Sequence, residues 1–459
     1  MSSIAAAAQL GEPRAAVRGA LVAGWAVALP AYAAAILWVA MHAPAISWDD
    51  ALFLTRGLTR FSVLDFSPQF PGYPGFIAMG RLLLPFAGDP VRALAMLTAL
   101  MAFAVPPLAA AVAWRMTASG ASALAAFALT LCQPLMPDLA LSLLTDGAGI
   151  AFLLGFLALL PRTDERPGWG AAFAAGAALA WGLACRPSDA VLFAGGALGA
   201  LAVAPRITLP AVLGGLAVAV PVALVVAGLE GGIYIDEGMR FISGHATLWG
   251  NTAFAATAHQ TWVTAIGGVP GGLALAAVMI ASVAVALARI RRAPPALAAA
   301  DAAFILYAIW VVLFQNPDQL RHLAPLVVLG GIILAVLMAS GRAAMAGVGI
   351  ALALEIVALA GTTATDPRLA PPLAAAASAL AAEPGGALAT NAGVATLRAA
   401  LPGTRVYDAY YAADARLGLA EAAGPAFRLS MKPIPGMTAE TEFRGRFAGE
   451  PTLRLYRIK

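Results

Sequence analysis

Charge is scarce in this chain. Asp, Glu, Lys and Arg make up 11% of its 459 residues and hydrophobic residues 61%, where soluble proteins carry about 25% charged residues. With so little charge to cover a surface in water, a soluble globular fold is excluded for most of the length. Cysteine is almost missing too. Cys132 and Cys185 are the two present, and two thiols specify no disulfide framework. Four histidines without Cys/His spacing give no structural zinc module. The net charge of +4 is spread thinly with no basic block, so no nucleic-acid partner is expected. A Gly-rich phosphate loop and an internal repeat are also lacking.

Long apolar runs take the place of charge. The mean hydropathy is +0.84, and windows able to cross a hydrocarbon core of about 30 Å recur along the chain. They fall at 20–41, 92–114, 120–135, 147–161, 169–185, 189–205, 209–228, 264–288, 297–314, 323–339 and 343–361, which predicts an all-α polytopic membrane protein with about eleven transmembrane helices. The first run is longer than the 7–15-residue core of a signal peptide, so it is expected to be a retained anchor.

Basic residues in short loops stay in the cytoplasm. An inside N-terminus, with Arg14 and Arg18, puts Arg115, Arg162, Arg166, Arg206, Arg289, Arg291, Arg292 and Arg342 on the inner side as well. Segments 42–91, 133–146, 186–188, 229–263 and 315–322 then face outward, with everything after about residue 362. That last stretch of 98 residues holds 19 of the 52 charges. It is predicted to be a small soluble α/β domain, 362–459, following a membrane domain, 1–361. Within it, GGALATNAGVATLRAALPGTRVYDA switches from β-prone runs to helical spacing and back, predicting strand, helix, strand.

The outer segments carry the chemistry. The first opens SWDDALFLTRG, with Asp49 and Asp50 adjacent; in a helix their side chains diverge by about 100°, so one of them at most faces a given site. The segment continues too apolar for a solvated loop, with Arg56 and Arg60 four apart on one helical face. It reads as a helix along the membrane surface, a Pro/Gly turn and a second interfacial helix. Taken alone, an Asp pair at a span end could simply mark the helix exit. Elsewhere, Thr145 or Asp146 at TDGAGIAFLL could cap a helix. His245, His259, Asp236 and Glu237 lie in an outer loop that alternates aromatic and polar residues in the manner of an interfacial lid. Asp301 and Glu355 fall within or at the ends of spans, where charge is costly.

These segments resemble the GT-C class of polyprenyl-phosphate-sugar-dependent glycosyltransferases, which includes the protein O-mannosyltransferases and the aminoarabinose transferases of lipid A. The likeness rests on WDDALF, on FPGYPGF at 70–76 followed by GDPVRALAMLTALMAF, on the Arg-Pro of LAWGLACRPSDAVLF and on NPDQLRHLAPLVVL, where His322 stands in place of an aromatic. It spans roughly residues 20 to 340. It implies a multi-pass enzyme of the bacterial inner membrane, and a sugar moved from a polyprenyl-phosphate donor to a lipid, glycan or protein acceptor on the outer face. Asp49 or Asp50 would be the base, with Asp49 favoured by its place at the start of the loop. A second acid belongs before the fourth span, at Asp138 or Asp146. Arg56, Arg60, Arg186 and Arg321, all on the outer face, would meet the lipid phosphate, with Tyr73 and His322 also on the substrate. A divalent metal, magnesium or manganese, held by Asp50 and Asp146, is a further expectation.

The chemistry suits these residue types. Sugar transfer passes through an oxocarbenium-like state, a carboxylate takes the acceptor's proton, and the leaving phosphate needs fixed cations. A secondary transporter or lipid-linked sugar flippase would also account for many spans, but it would carry ionisable pairs near mid-membrane and repeated halves. Here the charges gather on one face. A silent membrane scaffold with a partner-binding tail is a third reading, disfavoured by an intact acid pair beside arginines.

Overall fold

The computed structural model describes residues 11–162, 168–249, 294–315, 319–338, 341–363, 366–383, 385–409, 411–447 and 450–458. Ten of the eleven expected spans are helical there: α1 (Gly11–Ala40), α4 (Pro90–Thr117), α5 (Gly120–Leu131), α7 (Asp146–Leu159), α8 (Trp169–Cys185), α9 (Ala190–Val203), α10 (Thr208–Glu230), α12 (Pro295–Phe314), α13 (Ala324–Leu337) and α14 (Arg342–Thr363). The span expected at 264–288 lies outside the described residues, as do Arg166, His259 and the RIRR stretch at 289–292, and the side chains of Arg14, His245 and Arg342. Among the described residues, five helical stretches are long and apolar enough to cross a membrane: Arg18–Ala40, Pro90–Thr117, Pro205–Glu230, Leu320–Leu337 and Ala344–Gly361.

Several of the others are short, and the reason is local. Pro134 lies just beyond the end of α5 and lacks the N–H a helix would need. The chain then turns through a six-residue helix, α6 (Met136–Leu141), before α7 begins. Residues 133–150 are buried throughout, which is the condition under which irregular backbone is tolerated at membrane depth. The core packs α4, α5, α7, α9, α12 and α13 together through residues such as Val105, Leu129, Leu154, Phe193, Phe304 and Ile332. By contrast α1 and α10 turn Val22, Val27, Leu37, Leu209 and Leu224 outward, an apolar surface of the kind lipid covers. Both cysteines are free thiols.

Segment 42–91 folds as expected into two helices joined by a turn, α2 (Asp49–Thr59) and α3 (Pro74–Ala87). Ala51, Leu54 and Leu58 of α2 and Phe76 and Ile77 of α3 share a second core with Leu94, Leu97 and Cys185. The expected lid is a helix in its described part, α11 (Ile233–Trp249). It clamps the Pro/Gly turn: the Phe70 ring lies 5.2 Å from Tyr234 and 5.7 Å from Phe241. The Tyr234 hydroxyl also donates to the Pro71 carbonyl at 3.1 Å.

The tail supplies α15 (Pro372–Ala381), β1 (Ala387–Thr390), α16 (Val394–Ala400), β2 (Arg405–Asp408), α17 (Ala412–Ala420), β3 (Ala426–Ser430), β4 (Thr441–Phe443) and β5 (Leu453–Arg457). The strand, helix, strand expected at 385–409 is β1, α16, β2. The sheet runs β2-β1-β3-β5-β4; β1 is parallel to β2 and β3, and β5 antiparallel to β3 and β4.

Helix α8 meets α10 so closely that a methyl group at Gly176 would sit 1.8 Å from the Ala211 carbonyl oxygen, and one at Gly214 would sit 1.9 Å from that of Phe173. Small residues at such crossings let two backbones touch. Gly214→Val should therefore force the helices apart and cost about 1–3 kcal/mol, seen as a lowered Tm in detergent; an unchanged Tm would show that this contact is not tight in the folded protein.

Candidate active site

Helix α2 starts at Asp49, directly after the extended Trp48, so the two acids diverge as helix geometry requires. Asp50 turns toward the membrane domain. Its Oδ2 accepts from Arg321 Nη2 at 2.7 Å and its Oδ1 from Gln69 Nε2 at 3.1 Å. Arg321 stands on a single 3-10 turn, Leu320–Leu323, that leads into α13. Its Nε and Nη1 are buried without a hydrogen-bond partner among the described residues. The Asp50 carboxylate balances the guanidinium's charge. The result is a fixed cation with unused donors, which costs free energy unless an anion is to meet it.

Arg186 sits where α8 ends and the RPSD turn begins, 5% exposed. Its Nη1 donates to Thr145 Oγ1 at 2.8 Å. It pairs with Asp146 at 2.8 Å and with Asp189 at 3.0 Å. Its Nη2 also lies 3.5 Å from His322 Nδ1, next in sequence to Arg321. The Tyr307 hydroxyl of α12 reaches Asp189 at 3.5 Å. One guanidinium thus ties α7, the α8–α9 junction and the start of α13. Thr145 is an acceptor for Arg186 and makes no side-chain cap on α7.

Asp138 projects from α6, 8% exposed, and its carboxylate has no hydrogen-bond partner among the described residues. Burial, reinforced by the nearby Asp146 charge and opposed by Arg321, pushes its pKa up to about 7. Tyr73 lies in the field of the same groups: burial and then Asp50 raise its phenol's pKa, while Arg186 and Arg321 oppose them.

Not every expected residue joins this cluster. Asp49, favoured over Asp50 on its sequence position, is engaged elsewhere: its carboxylate accepts from the Ala395 and Thr396 amides at 3.1 and 3.0 Å and from Thr396 Oγ1 at 3.0 Å. Of the two acids, Asp50 is the one beside Arg321. Arg56 is exposed, and Arg60 is exposed and paired with Asp65 at 2.7 Å, so neither lies beside Arg321. The expected metal finds no fitting donor set. Asp50 and Asp146 each face an arginine, and among the described residues no group of three His, Cys, Asp or Glu side chains could hold an ion. Sequence reasoning missed Gln69 and Asp189. The signals for them were weak: a Gln just before the FPGYP turn, and an acid three residues after Arg186, one helical turn on.

No family model matches the sequence, and no curated protein matches it. The fold, however, is shared with solved structures of ArnT and of an archaeal oligosaccharyltransferase. ArnT from Cupriavidus metallidurans in the apo state shares it with a TM-score of 0.53 at 15% identity, over 96% of this chain and 98% of that one. The same protein bound to undecaprenyl phosphate gives 0.54 at 14% identity with the same coverage. The oligosaccharyltransferase of Archaeoglobus fulgidus in the apo form gives 0.50 at 11% identity, over 88% of this chain and 69% of that one.

The raised Asp138 pKa has a consequence for stability. The folded carboxyl holds its proton up to about pH 7, whereas the unfolded chain releases it near 3.9. Between those values the folded state binds more protons, so stability should fall as pH rises through that window. Asp138→Asn should flatten this part of the profile in thermal unfolding at pH 4 to 8. An unchanged slope would place Asp138 in water.

Proposed function

We propose that the protein is a glycosyltransferase that moves a sugar from a polyprenyl-phosphate donor to an acceptor hydroxyl at the outer face of a bacterial inner membrane, with Asp50 as base. The observation that carries this reading is the pairing of Asp50 with Arg321, a buried guanidinium whose remaining donors have no partner among the described residues. In this reading the proton acceptor and the anion contact lie within one hydrogen bond of each other.

In the reaction, the acceptor oxygen attacks the sugar's anomeric carbon as the bond from that carbon to the phosphate oxygen breaks. The bonding pair leaves with the polyprenyl phosphate, and Asp50 takes the hydroxyl proton. A single displacement from the opposite face inverts the anomeric centre. Arg321 holds the leaving phosphate with Nε and Nη1 while Nη2 keeps Asp50 oriented, the positioning and charge stabilisation that supply most of such a rate enhancement. Arg186 acts one layer deeper, fixing Asp146, Asp189 and His322. Tyr73 borders the substrate. Acceptors of lipid, glycan or protein type all offer the hydroxyl this chemistry uses. The bound undecaprenyl phosphate in the ArnT structure supports a polyprenyl phosphate as the carrier.

Transfer from a synthetic undecaprenyl-phosphate-linked sugar tests the scheme. Asp50→Asn should lower turnover about 10²–10⁴-fold with undecaprenyl phosphate still bound. Arg321→Ala should weaken that binding by about 1.5–3 kcal/mol, the worth of a charge-assisted hydrogen bond. Full turnover in Asp50→Asn would remove it as the base.

The site's side of the membrane is tested separately. The tail domain lies outside in this reading, with the N-terminus in the cytoplasm, so Glu421→Cys, an exposed position, should react with an impermeant maleimide in intact cells. Labelling only after lysis would invert the topology.

A further inference from the structure

The segment leading to Asp50 is gripped by the tail domain at three separate points. Arg446 Nη1 donates to the Ala43 carbonyl at 2.7 Å. Ser47 Oγ donates to Glu450 Oε1 at 2.7 Å. Asp49 accepts the Ala395 and Thr396 amides and the Thr396 hydroxyl. The first two contacts share one buried ion pair, because Arg446 donates to both Glu450 oxygens at 2.7 and 2.8 Å and both side chains are at most 1% exposed. The third contact has a topological logic. In the sheet, β1 lies between β2 and β3, parallel to both, so the chain crosses to one side of β1 and then back to the other. Free ligands of open α/β sheets bind at the carboxyl end of the strands at such a switch point. Here the chain leaving β1 passes Gly393, whose φ of +61° suits glycine, and presents its next amides to a carboxylate of the same protein.

We propose that Asp49 is a positioning residue through which the tail domain holds Asp50 in its reacting geometry. This rests on Asp50 being the base. Asp49 and Asp50 share the first turn of α2, so rotation of that turn moves both. With Asp49 held by three donors, the turn has one orientation, the one in which Asp50 meets Gln69 and Arg321. The tail is thereby part of the active site although its contacts fall one residue away from the chemistry. Adjacent acids then have distinct duties, one fastened to the tail and one set between Gln69 and Arg321 to accept a proton, which accounts for a pair where the reaction needs a single base.

The test uses the full-length protein in detergent with three readouts: hydrogen exchange at the Ala395 and Thr396 amides, kcat and KM for sugar transfer, and Kd for undecaprenyl phosphate. Asp49→Ala should speed exchange at those two amides and lower kcat about 10²-fold, the effect of roughly 1 Å of misplacement, with KM and Kd within about twofold of wild type. Asp49→Asn keeps one acceptor oxygen and should restore much of kcat. Thr396→Val, which removes one donor of the three, keeps the test available if Asp49→Ala misfolds, and should lower kcat by a smaller factor.

Faster exchange with unchanged kcat would make the contact an adhesion between domains and overturn the positioning role. A parallel fall in kcat and undecaprenyl phosphate affinity would do the same, as the mark of general loosening. The underlying reaction fails on a different result, full turnover in Asp50→Asn, whatever the exchange rates show.

Discussion

Arg186 is the group on which the ends of several membrane-domain helices depend. A guanidinium this deeply buried is tolerated only when its charge is matched and its donors are used, and Asp146, Asp189 and Thr145 do both. Because these partners come from α7, the α8–α9 junction and the residue before α7, satisfying one cation fixes several helix ends at once. Burial by itself would lower the Arg186 pKa, but Asp146 and Asp189 raise it above the usual arginine value. The group therefore stays charged, and the acids around it stay oriented.

From that fixed base the second arginine acquires its character. His322 touches Arg186, and Arg321, its neighbour on the same short turn, faces Asp50 with two nitrogens unused among the described residues. Asp138 completes the arrangement from α6, with no side-chain partner of its own among the described residues. Each nitrogen of the deeper guanidinium has a partner, whereas Arg321 keeps two without one among the described residues.

The tail is tied to the membrane domain through the residues that precede Asp50. The Arg446–Glu450 pair, the Ser47 hydroxyl and the Asp49 carboxylate bring a five-stranded sheet against the start of α2. Glu450 lies close enough to Asp138 to add to the rise of its pKa, so the tail reaches the electrostatics of the cluster as well as its geometry.

Much of this was written locally in the sequence. Apolar run length, which decides whether a segment leaves water, placed ten described helices. The two-helix first loop followed from its Pro/Gly turn and amphipathic spacing, the strand, helix, strand of the tail from a change of period, and the divergence of Asp49 from Asp50 from the 100° step of a helix. The lengths of α5 and α7 were less legible, because buried turns shorten helices only when neighbouring helices cover the turn. Pairing was not legible at all. Asp50 meets Arg321 across 271 residues and Asp49 meets Thr396 across 347, and no local period encodes a partner that far away. Hydrophobicity and helix geometry are properties of neighbouring residues, so the sequence by itself determined the membrane fold and the candidate acids. Which acid is fastened to the tail and which faces an arginine depends on how distant elements dock, and that was decided only by the tertiary structure.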